Sequence, residues 1–201
     1  MIQHFVETIK IKNGEALGLS YHQARMEITI RHFFPELALR AMPRLDELVK
    51  PRGDMDFYKA RVVYGDMGVE TTEYAPYSMR NIRSLQVVSN DAIDYSYKSC
   101  DRSALNALVA KKGWCDDIVI VKNGLVTDTS FTNIAIFDGS DWLTPKCPLL
   151  LGTKRAYLLD SGIIKETDIT IHELMQAQRV RLFNAMIEFG EIELDAKNCM
   201  L

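Results

Sequence analysis

The stretch DDIVIVKNGLVTDTSFTNIAIF, residues 116–137, constrains this chain more than any other part of it. Asp117 to Val121 and Asn133 to Phe137 are runs of β-branched and apolar residues of strand length, and they read as strong short strands. Asn123-Gly124 follows the first run, and that dipeptide favours the positive-φ pair of a tight hairpin turn. Whatever else the chain does, it builds sheet here.

The same signals recur elsewhere. Phe5 to Ile11, a turn at Asn13-Gly14 and Ala16 to Leu19 predict an N-terminal strand pair. Ser20 is a natural N-cap, with Gln23 completing a capping-box pattern, for a helix through His22, Arg25 and Met26 that Pro35 stops near Phe34. A second helix is expected after Pro43, on Leu45, Leu48 and Val49. Tyr58 to Tyr64 and Leu85 to Ser89 are β-rich, with a polar segment between them that fits a third strand and turn. Turn residues without a sustained period mark 90–97 as a linker. Asp101 to Lys112 reads as a helix with Ala104, Leu105, Leu108 and Val109 on its apolar side. Thr153 to Leu159 is a further helix, closed by Ser161-Gly162. Val180 to Phe183 and Ile192 to Leu194 end the chain as strands. Strands and helices mix without regular alternation, which predicts an α+β protein of two lobes: 1–89, the linker 90–97, and 98–201.

Composition removes several classes of function. The formal charge of −3 comes from 24 Lys and Arg set against 27 Asp and Glu, scattered through 201 residues. No basic face for nucleic acid and no polybasic patch for a membrane surface emerges from that balance. No run approaches the ~20 apolar residues needed to span a bilayer. The start, MIQHFVETIKIKNG, lacks a basic region followed by a long apolar run, so no signal peptide is expected. Cys100, Cys115, Cys147 and Cys199 form no CxxC pair, and no His stands at metal-ligand spacing from them. They predict reduced, mostly buried thiols in a cytoplasmic protein, with neither a disulfide framework nor a metal site. Asp116-Asp117 lacks further ligands at a matching spacing and reads as a loop. Met1, Met26, Met42 and the other methionines form no stripe. Trp114 and Trp142 flank strands as core or interface residues, and His172 opens a helix on the surface.

Taken singly, no residue is diagnostic. There is no GxGxxG, P-loop, HExxH or GxSxG. Alone, Lys98 is a solvated lysine, Asp128 a turn residue, Gly152-Thr153 a loop and helix cap, and His22 a structural histidine one helical turn from Arg25. Order and spacing change this. The runs YSYKSCDRSALNAL, DDIVIVKNGLVTDTSFTNIAIFDGSDWLTP, PLLLGTKRAYLLDSG and RLFNAM together resemble the class IV aminotransferase family. The likeness extends from about Phe5 to Ile192 and is most specific from Tyr95 to Arg155.

That resemblance implies a two-lobed fold like that of D-amino-acid aminotransferase, a pyridoxal 5'-phosphate cofactor in a cleft between the lobes, and a homodimer. Lys98 matches the Schiff-base lysine, which must lose its proton to attack an aldehyde and so needs burial or neighbouring cations. Asp128, in Val126-Thr127-Asp128, matches the acid that keeps the pyridine nitrogen protonated, and Asn133 matches the asparagine at the start of the next strand. Arg25 matches the arginine that reaches the cofactor phosphate. Gly152, Thr153, Lys154 and Arg155 match a loop-to-helix turn that offers N–H groups to that phosphate. Asn184-Ala185 matches a turn closing over it. The implied reaction is cleavage of 4-amino-4-deoxychorismate to 4-aminobenzoate and pyruvate, towards folate. Amino transfer of the branched-chain or D-amino-acid type is the alternative, and a cofactor-free interaction protein a third. Three departures bear on the choice. The chain starts inside a first strand and turn that most members carry, the acid is Asp where many have Glu, and Ser103 stands where aminotransferases commonly have Tyr.

Overall fold

The computed structural model describes residues 3–51 and 56–201; Met1, named above among the methionines, lies outside them. The chain divides into two units. The first comprises Met1–Ser78 and Tyr97–Asp101, and the second Met79–Ser96 and Arg102–Leu201.

In the first unit, β1 (Phe5–Lys12) turns at Asn13-Gly14 into the two-residue β2 (Glu15–Ala16). The helices α1 (Leu19–Phe33), α2 (Pro35–Arg40) and α3 (Leu45–Leu48) follow, then the hairpin of β3 (Phe57–Gly65) and β4 (Gly68–Pro76). The described strands form an antiparallel sheet in the order β2-β1-β3-β4. Alternation along β1 sends Phe5, Glu7, Ile9 and Ile11 to one face, opposite Tyr64, Val62, Ala60 and Tyr58 of β3. On that face Met26 and Ile30 of α1, with Leu45 and Val49, close a core around the apolar members. Each fully buried side chain of this kind contributes roughly 1.5–3 kcal/mol relative to exposure.

Two expectations about α1 need correction. Its N-cap is Gly18, in a left-handed conformation at φ 63°, and no side chain caps it. Ser20 lies inside the first turn, and Gln23 donates from Nε2 to Pro43 O and accepts from Leu45 N–H, clamping α1 to the start of α3. Pro35 does end α1, but it also opens α2 as its first residue, where a missing N–H costs nothing.

The boundary also differs from the expected 90–97. Asn90 and Asp94 make local turns through their side chains, which accounts for the linker-like composition. The residues after them rejoin the first unit, with a tight turn at Lys98 in which Ser99 N–H donates to Tyr97 O at 2.8 Å. Ser99 bridges to Phe5, Val6 N–H donates to Lys98 O at 3.0 Å, and Cys100 N–H to His4 O at 2.8 Å. Tyr97 stacks on His32 with ring centroids 4.9 Å apart and meets Phe33 edge-on. Lys98 therefore belongs to the first unit, and Leu85 to Ser89 to the second.

The second unit contains β5 (Leu85–Ser89), α4 (Ser103–Val109), β6 (Asp117–Lys122), β7 (Leu125–Thr129), β8 (Asn133–Phe137), β9 (Trp142–Pro145), α5 (Thr153–Asp160), β10 (Lys165–Thr167), α6 (Ile171–Gln176), β11 (Arg179–Asn184), β12 (Ile187–Asp195) and β13 (Cys199–Met200). Its sheet runs β10-β9-β8-β7-β6-β5-β13, and β11 leaves this path by pairing with β8 and β12. Asn123 at φ 51° and Gly124 at φ 78° make the hairpin turn between β6 and β7. Leu105 and Leu108 of α4 pack with Ile118 and Ile120 of β6, while Ala104 faces solvent. Leu158 of α5 packs with Ala135 and Phe183. Trp114 is fully exposed, so it is not a core residue, and Trp142 is half-buried against Phe137. The four cysteines are free thiols, of which only Cys115 and Cys199 are buried. Among the described residues no helix is long and apolar enough to cross a membrane.

Candidate functional site

The residues singled out by sequence fall into two groups, one in each unit. In the second unit they converge where the sheet splits. Between β7 and β8 the registered pair is Asp128 with Asn133, beside the turn that joins the strands, which Thr129 N–H closes by donating to Thr132 O at 3.0 Å. Asp128 thus lies within a strand and is not a turn residue. Asn133 Nδ2 donates to Asp128 Oδ1 at 2.8 Å and to Leu150 O at 2.9 Å, and Leu150 N–H donates to Asp128 Oδ2 at 2.8 Å. Strand, strand and the 149–152 loop are tied at one carboxylate.

Asp128 is buried, and burial pushes its pKa up to about 7 against the opposing pull of the Leu150 N–H, the Asn133 amide and the Arg155 charge. A carboxyl in that state sits near its own midpoint at neutral pH. A cationic N–H placed against it would draw it to the ionised form.

Gly152 leads out of this knot. A Cβ built on it would lie 1.9 Å from Asn133 Oδ1, although its φ of −71° suits any residue. Space, not backbone conformation, requires glycine. Gly152 is also the N-cap residue of α5, and its carbonyl accepts the first bond of the helix, from Ala156 N–H at 3.0 Å, so the N–H groups of Thr153, Lys154 and Arg155 lie ahead of the helical ladder. Of the residues in that turn, Thr153 is buried, Lys154 Nζ pairs with Glu188 at 2.6 Å, and the Arg155 guanidinium is turned to Pro145 O and Glu166. Arg155 is therefore a brace between α5 and the strands around it. Asn184 has its side chain committed to the β11–β12 turn: Oδ1 accepts from the Met186 and Ile187 N–H groups, and Nδ2 donates to Phe131 O. Its place is to fix that turn to the 130–132 loop.

In the first unit, Lys98 is half-buried in the 97–101 segment, where its carbonyl accepts from Val6 N–H of β1. Arg25 projects from α1 to Glu7 on β1, with Arg25 Nε donating to Glu7 Oε1 at 3.0 Å and Nη2 to Oε2. His22 Nδ1 is 2.6 Å from the same Oε2. Burial lowers the pKa of His22 despite the pull of Glu7, with the Arg25 and Lys98 charges acting in the same direction as burial. The imidazole is thus neutral, and its Nδ1–H donates to the carboxylate. Sequence reasoning missed Glu7. A signal existed, since in F-V-E-T-I-K-I the glutamate falls in the same alternation phase as Phe5, Ile9 and Ile11. Leu150 N–H, the second donor to Asp128, has no sequence signal because any residue supplies it.

Comparison with known proteins gives the setting. The family model described as amino-transferase class IV matches residues 4–193. An uncharacterised protein of Haemophilus influenzae is 36% identical over 183 residues, covering 90% of this chain and 96% of that protein. A crystal structure from Haemophilus somnus 129PT, provisionally named a 4-amino-4-deoxychorismate lyase, has a TM-score of 0.83 at 34% identity, covering 92% of this chain and 97% of that one. The aminodeoxychorismate lyase of Saccharomyces cerevisiae is 38% identical over 80 residues, a match spanning 36% of this chain and 21% of that protein.

Proposed function

The chain belongs to the class IV aminotransferase family of pyridoxal-phosphate-dependent aminotransferases and lyases, and from that premise we propose that it cleaves 4-amino-4-deoxychorismate to 4-aminobenzoate and pyruvate. The observation that carries the choice of lyase is the 34% identity, over nearly the full length of both chains, to the Haemophilus somnus protein of that name. Cofactor and site residues are part of the same proposal, together with a homodimeric assembly, a cytoplasmic setting and a place on the way to folate.

The donor set suits the cofactor. When bound, pyridoxal phosphate supplies an electron-withdrawing ring that stabilises a carbanion. Asp128, buried with a pKa of about 7, is poised to take the negative form beside a ring N–H and so hold the proton there. Asn133 and the Leu150 N–H orient both of its oxygens. The first turn of α5 would offer N–H groups to a phosphate, and Gly152 lets that turn begin against the Asn133 amide, where a Cβ would collide. Lys98 would hold the cofactor and, as an amine, would move protons at the substrate carbons. Arg25 supplies the phosphate with a charge already fixed in orientation.

Borohydride reduction of the protein loaded with pyridoxal phosphate should leave a pyridoxyl group on the peptide containing Lys98; an adduct on Lys111 or Lys154 instead would overturn the assignment. For the reaction, aminodeoxychorismate should give pyruvate continuously without an added 2-oxo acid. Rapid, complete bleaching of the cofactor band by alanine or glutamate, with no pyruvate from aminodeoxychorismate, would make amino transfer the function.

A further inference from the structure

Glu7 stands on the buried face of β1, between Phe5 and Ile9 and opposite Val62, with no exposed surface. An ionised carboxylate there is costly unless paired and hydrogen-bonded. It is paired by the two-pronged fork of Arg25 and by the neutral His22. The balance keeps it charged: burial, the largest single influence, raises its pKa, yet Arg25 and His22 together bring it down to about 2.

Stability alone does not account for such a group. A buried ion pair replaced by apolar residues of similar volume is often neutral or more stable, and the neighbours in the same phase of β1 are apolar. What the carboxylate adds is direction. A guanidinium has five N–H donors in one plane, and a fork on two of them fixes that plane and leaves a defined opposite edge. Arg25 retains 13% of its side-chain surface while Glu7 retains none, so the anchored edge is the buried one. The backbone beneath is tied as well, through Thr29 Oγ1 donating to Arg25 O at 3.0 Å. His22 completes the carboxylate's shell without a second positive charge, leaving the guanidinium as the cation of the group.

We propose that Glu7 is a positioning residue, whose carboxylate sets the Arg25 guanidinium so that its outer N–H edge meets a phosphate monoester. The proposal rests on the assignment of Arg25 to the cofactor phosphate. Glu7 touches neither substrate nor cofactor and acts only through Arg25.

Pyridoxal phosphate and pyridoxal share ring and aldehyde and differ in the phosphate, so the ratio of their dissociation constants isolates the phosphate contact. That ratio, measured by fluorescence quenching on the wild type, Glu7→Gln, Glu7→Asp and Arg25→Gln, is the test. Arg25→Gln should weaken pyridoxal phosphate about tenfold or more, the scale of a hydrogen bond between charged groups, and leave pyridoxal nearly unchanged. Glu7→Gln, which sets an amide N–H against the guanidinium, should shift the ratio the same way. Glu7→Asp keeps the charge, withdraws it by one methylene and should give a smaller shift, and it serves as the readout should the glutamine variant not fold. A normal ratio in both Glu7 variants, with a reduced ratio in Arg25→Gln, overturns the positioning role and leaves the Arg25 assignment standing. A parallel loss of both ligands in the Glu7 variants marks a merely structural carboxylate and overturns it too. A normal ratio in Arg25→Gln removes both.

Discussion

Asp128 and Glu7 are both buried carboxylates, yet their surroundings move them in opposite directions, and the pH dependence of stability separates them. Asp128 rises from 3.8 to about 7 because burial dominates. Its favourable term is full below the unfolded pKa and is lost as pH rises through about 7, a loss of about 4 kcal/mol by the end of that window. In cofactor-free protein, Asp128→Asn should therefore gain stability relative to wild type as pH goes from 5 to 9, and denaturant titration at several pH values reads this directly. Glu7 falls from 4.5 to about 2, so its stabilisation is present above 4.5 and disappears as pH drops to about 2, a loss of about 3 kcal/mol. Acid unfolding of Glu7→Gln should be correspondingly shallower over that lower window. At this scale motif order singles out Lys98, Arg25, Asp128 and Asn133, and the structure ties the last two together by a hydrogen bond. The sequence was silent where a partner is a backbone group, as at Leu150. It was legible but unread at Glu7, whose alternation phase marks it as inward-facing.

Elements were legible in proportion to how local their causes are. The strands β6 and β8 and the Asn123-Gly124 turn follow from β-branched runs and positive-φ residues, and the structure has them within a residue. The start of α1 was misread because Ser20 and Gln23 imitate a capping box, while Gln23 is engaged by Pro43 and Leu45, some twenty residues away. Asp128 was placed on a turn because Asp is depleted in strands and follows the Asn123-Gly124 hairpin closely, whereas its strand state comes from pairing with Asn133 of β8. The start of α5 carries a further prediction. Gly152→Ala must move the Asn133 amide, and overpacking of this kind costs about 1–3 kcal/mol. The Asn133→Ala background removes the colliding oxygen, so the two substitutions together should cost less than their sum, a coupling that a double-mutant cycle measures. Strict additivity would mean the loop relieves the clash by itself.

For the whole molecule, the mixed α+β class was readable from the irregular order of strands and helices, and the family from motif order. The partition into units was not, because the 97–101 segment is joined to the first unit by main-chain hydrogen bonds and by Tyr97, neither of which has a pattern in its neighbourhood. Tyr97→Ala should speed hydrogen exchange at the Val6 and Cys100 amides by about tenfold, equivalent to ~1.4 kcal/mol, and leave β6 amides unaffected. Equal effects on both would erase the distinction between the units. The chain passes from one unit to the other at Ser78/Met79, Ser96/Tyr97 and Asp101/Arg102. Recombination therefore faces a constraint that a simple head-to-tail pair of domains would not impose. A hybrid gene that takes residues 1–78 from one relative and the rest from another sets a foreign Phe5 against the resident Ser99, and a foreign His32 against the resident Tyr97. Inheriting the first unit whole takes a second, separate exchange of five codons, and those five include the codon for Lys98.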